Sequence, residues 1–275
     1  MFAQKLQDSQ AVARAVAAFI VFCALSGAVY LVNDVLDREQ DQQHPLKARR
    51  PIASGALDRQ VALTSAFLIA GLALIAAFWL GLPFFATACA YLGLLWAYSA
   101  SLKHVVILDV LTIAAGFTLR AVAGGAVLAV PISHWLLVCT TFLALFLALS
   151  KRRHELVLLT DHAIDHRPIL EAYTPYLLDQ MISVVTASTL IAYAFYTISP
   201  ETTSKFGTNL LSLTIPFPLY GILRYLYLVH RRDLGGSPAE LLVNDRPLLI
   251  CVALWAVAVV LVIYHPLRAL AGGTL

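Results

Sequence analysis

The chain has 275 residues, of which 60% are hydrophobic and 13% are charged, and its mean hydropathy is +0.80. Soluble domains carry about 25% charged residues, so this composition excludes a water-soluble globule and predicts a polytopic membrane protein. The net charge of +3 is too small to indicate nucleic-acid binding. The four cysteines lie inside apolar runs without CxxC spacing, which is typical of packing residues rather than of a zinc site.

Long apolar segments predict the membrane-spanning elements. A hydrocarbon layer about 30 Å thick needs about 20 apolar residues per helix, and no alternating pattern of the kind found in barrel strands competes with these segments. We therefore predict an all-α, polytopic transmembrane helical bundle that forms a single integral-membrane domain over residues 1–275. The eight predicted spans are residues 11–33, 60–80, 82–99, 104–130, 132–150, 175–198, 208–230 and 247–265.

The distribution of positive charge predicts the orientation in the membrane. Thirteen of the 19 Lys and Arg residues lie in loops on one side, and the other side has Lys5, Lys205 and Arg268. Positive loops collect on the cytoplasmic side, so we expect a multi-pass protein of the inner (plasma) membrane with its charged face in the cytoplasm. The charged loops on that face are residues 34–59, 100–103, 151–174 and 231–246, and the motif-bearing segments are 33–59 and 151–174.

The first charged loop opens with an NDxxDxxxD pattern formed by Asn33, Asp34, Asp37 and Asp41. On a helix the three aspartates share one face, where their charges repel unless a cation lies between them. Such oxygen ligands suit Mg²⁺, which takes one or two carboxylates together with substrate phosphates. The alternative is a solvated helix end, although the C-terminal end of a helix disfavours negative charge. We therefore predict catalytic aspartates that bind a magnesium–diphosphate group.

Basic residues follow the acidic pattern in the same loop. Lys47 and Arg50 are candidates for phosphate binding, because Arg binds phosphate through two parallel hydrogen bonds and Lys as a point charge. The positive-inside topology would by itself also explain these residues. Acids and bases side by side nevertheless fit a magnesium–diphosphate ligand better than either charge alone.

A second charged loop contains three consecutive bases and two acids with DxxxD spacing. Asp161 and Asp165 are candidate ligands of a second metal ion, while the bases either contact phosphate or only mark the topology. The candidate substrate-binding residues of this loop are Lys151, Arg152, Arg153, Glu155 and Arg167.

Four further polar residues are candidates for substrate binding. Tyr98 and Lys103 flank a short cytoplasmic turn. Tyr is common at the membrane interface and needs no functional explanation, whereas a Lys beside a phosphate site can bind the phosphate. Asp109 and Arg120 lie inside one apolar helix and, eleven residues apart, face the same way. Ionisable groups at that depth are costly and usually face a cavity or a partner. We predict a polar cleft there, although Asp109 is near enough to the cytoplasmic end to reach solvent.

Several stretches resemble the UbiA-type membrane prenyltransferase superfamily, and within it the decaprenyl-phosphate phosphoribosyltransferase branch. The resemblance extends over nearly the whole chain. The stretches are the NDxxDxxxD pattern, HPLKARRPIASGAL (44–57), YSASLKHVVILDVLTIAAGFTLRAVAGG (98–125), KRRHELVLL (151–159), EAYTPYLLDQM (171–181) and the block that runs from RYLYLVHRR to NDRPLL (224–249).

The resemblance implies a bundle of nine helices with a polar cytoplasmic cap, of which about eight are complete in this chain. It also implies Mg²⁺-dependent transfer of a 5-phosphoribosyl group from phosphoribosyl diphosphate to a polyprenyl phosphate, a reaction of cell wall biosynthesis. Asp34, Asp37 and Asp41 would then bind Mg²⁺ and diphosphate, supported by Asn33. The phosphate-binding residues implied by the resemblance are Lys47, Arg50, Lys103, Lys151 and Arg152.

Two departures from the superfamily pattern affect this interpretation. The second charged loop is mostly basic where the superfamily has a clearer acidic motif, which favours an anionic, hydrophilic donor and weakens Asp161 and Asp165 as metal ligands. The chain also starts near the end of the first family helix, which fits a misassigned start, a fragment of a longer protein or a missing helix, and each of these leaves one wall of the lipid cavity undefined by this sequence. The alternatives are prenyl transfer from an isoprenyl diphosphate to an aromatic or other small acceptor, and a transporter whose charged loops only set the topology.

Overall fold

The computed structural model describes residues 4–43, 47–158, 168–232 and 237–264. Within these ranges the regular elements are helices and there is no strand, which confirms the predicted all-α class. The chain forms two compact units. The N-terminal unit contains residues 8–131 and 159–174, and the C-terminal unit contains residues 1–7, 132–158 and 175–275.

Four long helices build the N-terminal unit, and α1 packs against the other three. Their interface is apolar, with Phe22, Leu25, Phe84 and Tyr91 buried at its centre. The helices are α1 (Ser9–Leu36), the short α2 (Arg38–Gln43), α3 (Arg59–Leu80), α4 (Leu82–Ala100) and α5 (Leu108–Leu128), with 3₁₀ helices at Lys47–Arg49, Leu102–His104 and Pro168–Ala172.

Arg14, near the start of α1, holds that helix against the ends of two other helices. Its Nε donates to the carbonyl of Val127 at 3.1 Å and its Nη2 to the carbonyl of Leu80 at 2.7 Å. These carbonyls lie at the C-terminal ends of α5 and α3, where the last turn of a helix leaves acceptors unpaired and carries partial negative charge. These two carbonyls therefore balance the positive charge of Arg14.

The C-terminal unit pairs α6 with α7 and α9 with α11. A buried polar contact joins its elements, because the Tyr193 hydroxyl hydrogen-bonds to Thr214 at 2.7 Å and accepts from Trp255 Nε1 at 2.8 Å. The helices are α6 (His134–Leu158), α7 (Pro175–Ile198), α8 (Pro200–Phe206), α9 (Pro216–Arg232), α10 (Pro238–Asn244) and α11 (Arg246–Tyr264), with a 3₁₀ helix at Leu210–Thr214.

Seven helices in the described ranges are long and apolar enough to cross a membrane, and there are up to eight if a bent pair counts as one span. This supports the predicted multi-pass protein. The span predicted over 208–230 corresponds to residues 210–231, in which a 3₁₀ helix at Leu210–Thr214 precedes α9, and the chain bends by 102° between α8 and this segment. Proline lacks the N–H that a continuing helix needs but suits its first turn.

Two other predicted boundaries also differ from the structure. The helix predicted over 132–150 continues to Leu158, so Lys151–Glu155 lie on its last turns and not in a loop. Arg, Lys, Glu and Leu are good helix formers, so the helix persists after the apolar run ends. The helix predicted from 104 begins at Leu108, because Ile107 has a positive φ of 70° that interrupts a helical path.

Candidate functional site

The three aspartates of the NDxxDxxxD pattern, which we call the acidic cluster, lie where α1 passes into α2. Asp37 is the residue between the two helices, and backbone bonds from Asp37 N–H to Asn33 O and from Asp41 N–H to Asp37 O, each 2.8 Å, keep the path helical. The predicted helical placement is therefore largely confirmed. The cluster lies entirely within the N-terminal unit.

Arg50 joins two members of the acidic cluster. Its Nη1 donates to Asp34 Oδ1 at 2.7 Å and to Asp41 Oδ2 at 2.9 Å. Lys47 Nζ lies 3.9 Å from Asp41 Oδ1. Asp41 is only 4% exposed, and a buried carboxylate needs such positive partners. The positive charge expected between the aspartates is thus supplied by the chain itself.

The segment that carries Arg50 is held over the end of α1 by apolar packing. Ile52 is 2% exposed and packs in a small buried cluster with Val35 and Ala62. Gln42 Nε2 also donates to the carbonyl of Ala53 at 3.0 Å. These contacts between α1, α2 and α3 fix the turn after the 3₁₀ helix Lys47–Arg49, and so they place Arg50 beside the aspartates.

The third aspartate has different partners. Asp37 accepts from Lys103 Nζ at 2.5 Å and from Asn33 Nδ2 at 2.9 Å. Lys103 lies on the 3₁₀ helix after α4, and its side chain is only 11% exposed. Tyr98 lies half-buried on the last turn of α4. The structure therefore brings together six predicted site residues: Asn33, Asp34, Asp37, Asp41, Arg50 and Lys103, with Lys47 at the edge.

The donor set of the acidic cluster fits Mg²⁺. All its side-chain ligands are carboxylate oxygens, and Asp34 and Asp41 already converge on one positive group. Among the described residues, no three acidic, His or Cys side chains form a metal cluster by themselves. Mg²⁺ binding by Asp34, Asp37 and Asp41 therefore stays a prediction.

A second buried contact network lies beside Lys103. The Tyr173 hydroxyl donates to Asp109 Oδ1 at 2.8 Å and accepts from the Ile107 N–H at 2.7 Å. Asp109 is fully buried, so it does not reach solvent as the alternative interpretation allowed. Tyr173 thus holds the strained Ile107 backbone at the start of α5, three residues after the 3₁₀ helix that carries Lys103.

We expect Tyr173→Phe to destabilise this region by about 1–3 kcal/mol, because the Ile107 N–H loses its acceptor and Asp109 loses a donor. The unfolding temperature should fall, and the KM for the donor should rise as Lys103 shifts. Thermal unfolding in detergent and initial-rate kinetics measure both effects. Tyr176→Phe is the matched control, since Tyr176 is 74% exposed. Equal unfolding temperatures for the two variants would contradict this role of Tyr173.

Arg120 and Asp109 have different partners. Arg120 Nη2 donates to the Tyr91 hydroxyl at 2.6 Å and to Ser26 Oγ at 3.4 Å, so it contacts α4 and α1, whereas Asp109 accepts from Tyr173. The polar cleft predicted for this pair stays a prediction.

The C-terminal unit places two of the predicted bases against acids. Arg152 is 2% exposed and donates to Glu155 at 2.8 Å, and Arg153 donates to Asp179 at 2.5 Å. The partner Asp179 also lies 3.2 Å from His230 Nε2. Lys151 is exposed on α6. Phosphate binding by these residues stays a prediction. The predicted Asp161, Asp165 and Arg167 lie outside the described residues.

Several partner residues were not predicted. Ser26, Tyr91, Tyr173 and Asp179 each contact a predicted site residue. Tyr91 could have been expected in part, because the ionised Arg120 inside an apolar helix requires a polar partner nearby. The sequence alone does not tell which helix supplies that partner.

The UbiA prenyltransferase family model matches residues 2–244 of this chain. The chain belongs to the UbiA prenyltransferase family. It is 34% identical over 257 residues to the decaprenyl-phosphate phosphoribosyltransferase of Corynebacterium glutamicum, covering 90% of this chain and 75% of the relative. It is 33% identical to the protein of the same name from Mycolicibacterium smegmatis, covering 86% and 76%. This UbiA-family chain is therefore a membrane transferase.

The UbiA fold is also supported by a solved structure. The UbiA homologue from Archaeoglobus fulgidus bound to GPP and Mg²⁺ is similar with a TM-score of 0.71 and 19% identity, covering 91% of this chain and 87% of that one. Its complex with DMAPP and Mg²⁺ gives the same TM-score. At this identity the likeness establishes the fold, in agreement with the helical bundle that the composition predicts.

Proposed function

We propose that this chain transfers a 5-phosphoribosyl group from phosphoribosyl diphosphate to a polyprenyl phosphate and releases diphosphate. The observation that carries the proposal is the 33–34% identity, over 86–90% of the chain, to relatives named decaprenyl-phosphate phosphoribosyltransferase. The reaction would take place at the cytoplasmic face of the inner membrane, where the charged loops collect.

The charges of the acidic cluster support a magnesium–diphosphate ligand. Each aspartate is paired with a base, so the group is nearly neutral without substrate. A magnesium diphosphate brings a divalent cation for the carboxylates and anionic oxygens for Arg50, Lys47 and Lys103. The carboxylates then gain a cation and the bases gain an anion, so each side of the ion-paired network keeps partners of opposite charge.

The residues of this chain would act by position and charge. Asp34, Asp37 and Asp41 would hold Mg²⁺, which when bound stabilises the negative charge of the diphosphate leaving group. Arg50 and Lys103 would bind diphosphate oxygens through charge-assisted hydrogen bonds. Asn33 would orient Asp37 through the 2.9 Å bond that it already makes. Lys47, at the edge of the cluster, would add a further positive charge.

The transfer itself exchanges one C–O bond for another. The bond between ribose C1 and the diphosphate oxygen breaks with its electron pair leaving on diphosphate, and an oxygen of the lipid phosphate forms the new bond to C1. Attack from the opposite face inverts the anomeric centre. The attacking phosphate is already anionic near neutral pH, so no protein base is needed, and orientation and preorganised charge supply the acceleration.

The basic end of α6 is a further candidate for phosphate binding. Lys151 is exposed there, while Arg152 and Arg153 each make an ion pair with an acid of their own unit. By the same exchange, an incoming phosphate would replace the acid as partner of the base. Asp161 and Asp165 remain candidate ligands of a second metal ion, with Arg167 beside them in sequence.

The donor distinguishes this activity from prenyl transfer. Membranes that contain the full chain are incubated with polyprenyl phosphate and phosphoribosyl diphosphate labelled in the ribose, with Mg²⁺ or with a chelator. We expect a labelled lipid that forms only with Mg²⁺. A parallel reaction contains geranyl diphosphate and an aromatic acceptor. Product in that reaction alone would overturn the phosphoribosyl assignment in favour of prenyl transfer, and no product in either would favour a non-enzymatic protein.

A further inference from the structure

Arg120 is a positively charged side chain in the apolar interior of the N-terminal unit. It lies on α5 eleven residues after Asp109, which is about 16 Å along a helix. Its Nη2 donates to Tyr91 at 2.6 Å and to Ser26 at 3.4 Å, and the two hydroxyls are 2.9 Å apart. Tyr91 is fully buried, so the hydroxyl pair anchors one edge of the guanidinium.

No acidic side chain of the described residues balances the charge of Arg120. It makes no ion pair with any residue in the described ranges, and its other close neighbours are the rings of Phe117 at 4.8 Å and Tyr91 at 5.3 Å. Hydroxyls and aromatic faces stabilise a cation only partly. An ionised group at this depth is costly and usually marks a functional site.

The guanidinium also has unused donors. An arginine carries five N–H groups, and the two bonds to hydroxyls occupy Nη2. Within the described part of the chain Nε is buried without a hydrogen-bond partner. A planar guanidinium with an unpaired donor can bind an oxygen of a phosphate.

Arg14 provides an internal comparison. It also lies on an apolar helix of the same unit, but its Nε and Nη2 both donate to carbonyls at helix C-termini. Those carbonyls supply the partial negative charge that Arg120 lacks. The charge of Arg14 is thus balanced by backbone carbonyls. Among the described residues, Arg120 contacts only hydroxyls and aromatic rings, which carry no negative charge.

We propose that Arg120, positioned by Tyr91 and Ser26, is a subsite for a phosphate monoester anion. The proposal rests on the proposed function, because both substrates of that reaction carry such a group. One is the head group of the polyprenyl phosphate, whose apolar chain suits the interior of the unit. The other is the 5-phosphate of the donor, which lies at the opposite end of the ribose from the diphosphate.

Equilibrium binding to the full chain in nanodiscs tests the subsite without any turnover. The probes are farnesyl phosphate, ribose 5-phosphate and the uncharged farnesol, with empty nanodiscs as the blank. In Arg120→Met we expect the affinity for one phosphate ester to fall about 10- to 100-fold, the usual range for a lost charged hydrogen bond, while farnesol binding is unchanged. A loss confined to farnesyl phosphate assigns the lipid head group, and a loss confined to ribose 5-phosphate assigns the donor.

The stability of the variant separates a ligand site from a structural role. Met is apolar and of similar length, and Ser26 and Tyr91 remain paired to each other. We therefore expect Arg120→Met to unfold at the same temperature as the wild type or higher. Arg59→Gln is the matched control, since Arg59 is exposed, and it should bind both esters like the wild type.

Two results would overturn the subsite. One is wild-type affinity of Arg120→Met for both esters, and the other is a variant that no longer folds, which would make Arg120 a structural residue. The proposed function can fail independently. If the labelled-donor assay yields no lipid product but Arg120→Met still loses ester binding, the proposed subsite is retained and the proposed transfer reaction is rejected.

Discussion

Asp37→Ala is expected to lower the rate of phosphoribosyl transfer by about 100- to 1,000-fold, the usual effect of removing one group that stabilises charge in a transition state. Asp37 has two roles in the acidic cluster. In the proposed reaction it would be a ligand of Mg²⁺, and it forms an ion pair with Lys103 Nζ at 2.5 Å, which would place Lys103 beside the diphosphate. Both roles depend on its negative charge.

Asp37→Asn tests that dependence. The amide keeps the size of the side chain and can still accept a hydrogen bond, but it supplies no charge to Mg²⁺ or Lys103, so we expect a loss close to that of Asp37→Ala. Initial rates at saturating donor and lipid give the comparison, with thermal unfolding to verify that both variants fold. Glu39→Gln, an exposed acid on α2, should retain wild-type activity. Rates for Asp37→Ala within about 3-fold of the wild type would refute the metal assignment.

Arg50→Gln should have two effects of opposite sign. Arg50 is the positive partner of both Asp34 and Asp41, so its removal leaves two carboxylates more available to a divalent cation. It also removes a base that would bind the diphosphate. We therefore expect the KM for phosphoribosyl diphosphate to rise about 10- to 100-fold, while Mn²⁺, a paramagnetic stand-in for Mg²⁺, binds more tightly in the absence of donor.

Electron paramagnetic resonance of Mn²⁺ and steady-state kinetics measure these two effects separately. Arg49→Gln is the matched control, because the neighbouring Arg49 is exposed and has no ion pair within the described residues. An arginine that only set the membrane topology would leave both quantities unchanged. Such a result, together with wild-type behaviour of Arg49→Gln, would remove Arg50 from the site.

The helices could be predicted from sequence because their cause is local. A lipid layer selects runs of about 20 apolar residues wherever they occur, and most predicted spans agree with the observed helices within a few residues. The errors lie where a helix is not delimited by hydrophobicity. Helix α6 continues through charged residues that favour helix, and the segment 210–231 begins as a 3₁₀ helix that becomes α-helical only at Pro216.

The site could be predicted only as a set of charges. The spacing of Asp34, Asp37 and Asp41 indicated a cation, and the family resemblance named the bases. The pairing could not be read from the sequence, because Arg50 is 16 residues from Asp34 and Lys103 is 66 residues from Asp37. Which base meets which acid depends on how α4 and the turn after α2 pack against the end of α1.

The sequence by itself thus determined the membrane class, the spans and the collection of acids and bases on one face, since these follow from the apolar content and charge of each segment. Only the tertiary structure decided that Asp34 and Asp41 share Arg50, that Asp109 accepts from Tyr173, and that Arg120 contacts the hydroxyls of Tyr91 and Ser26. The physical reason is that hydrophobicity sets which segments enter the lipid, whereas the partners of each buried charge are set by side-chain packing between helices distant in sequence.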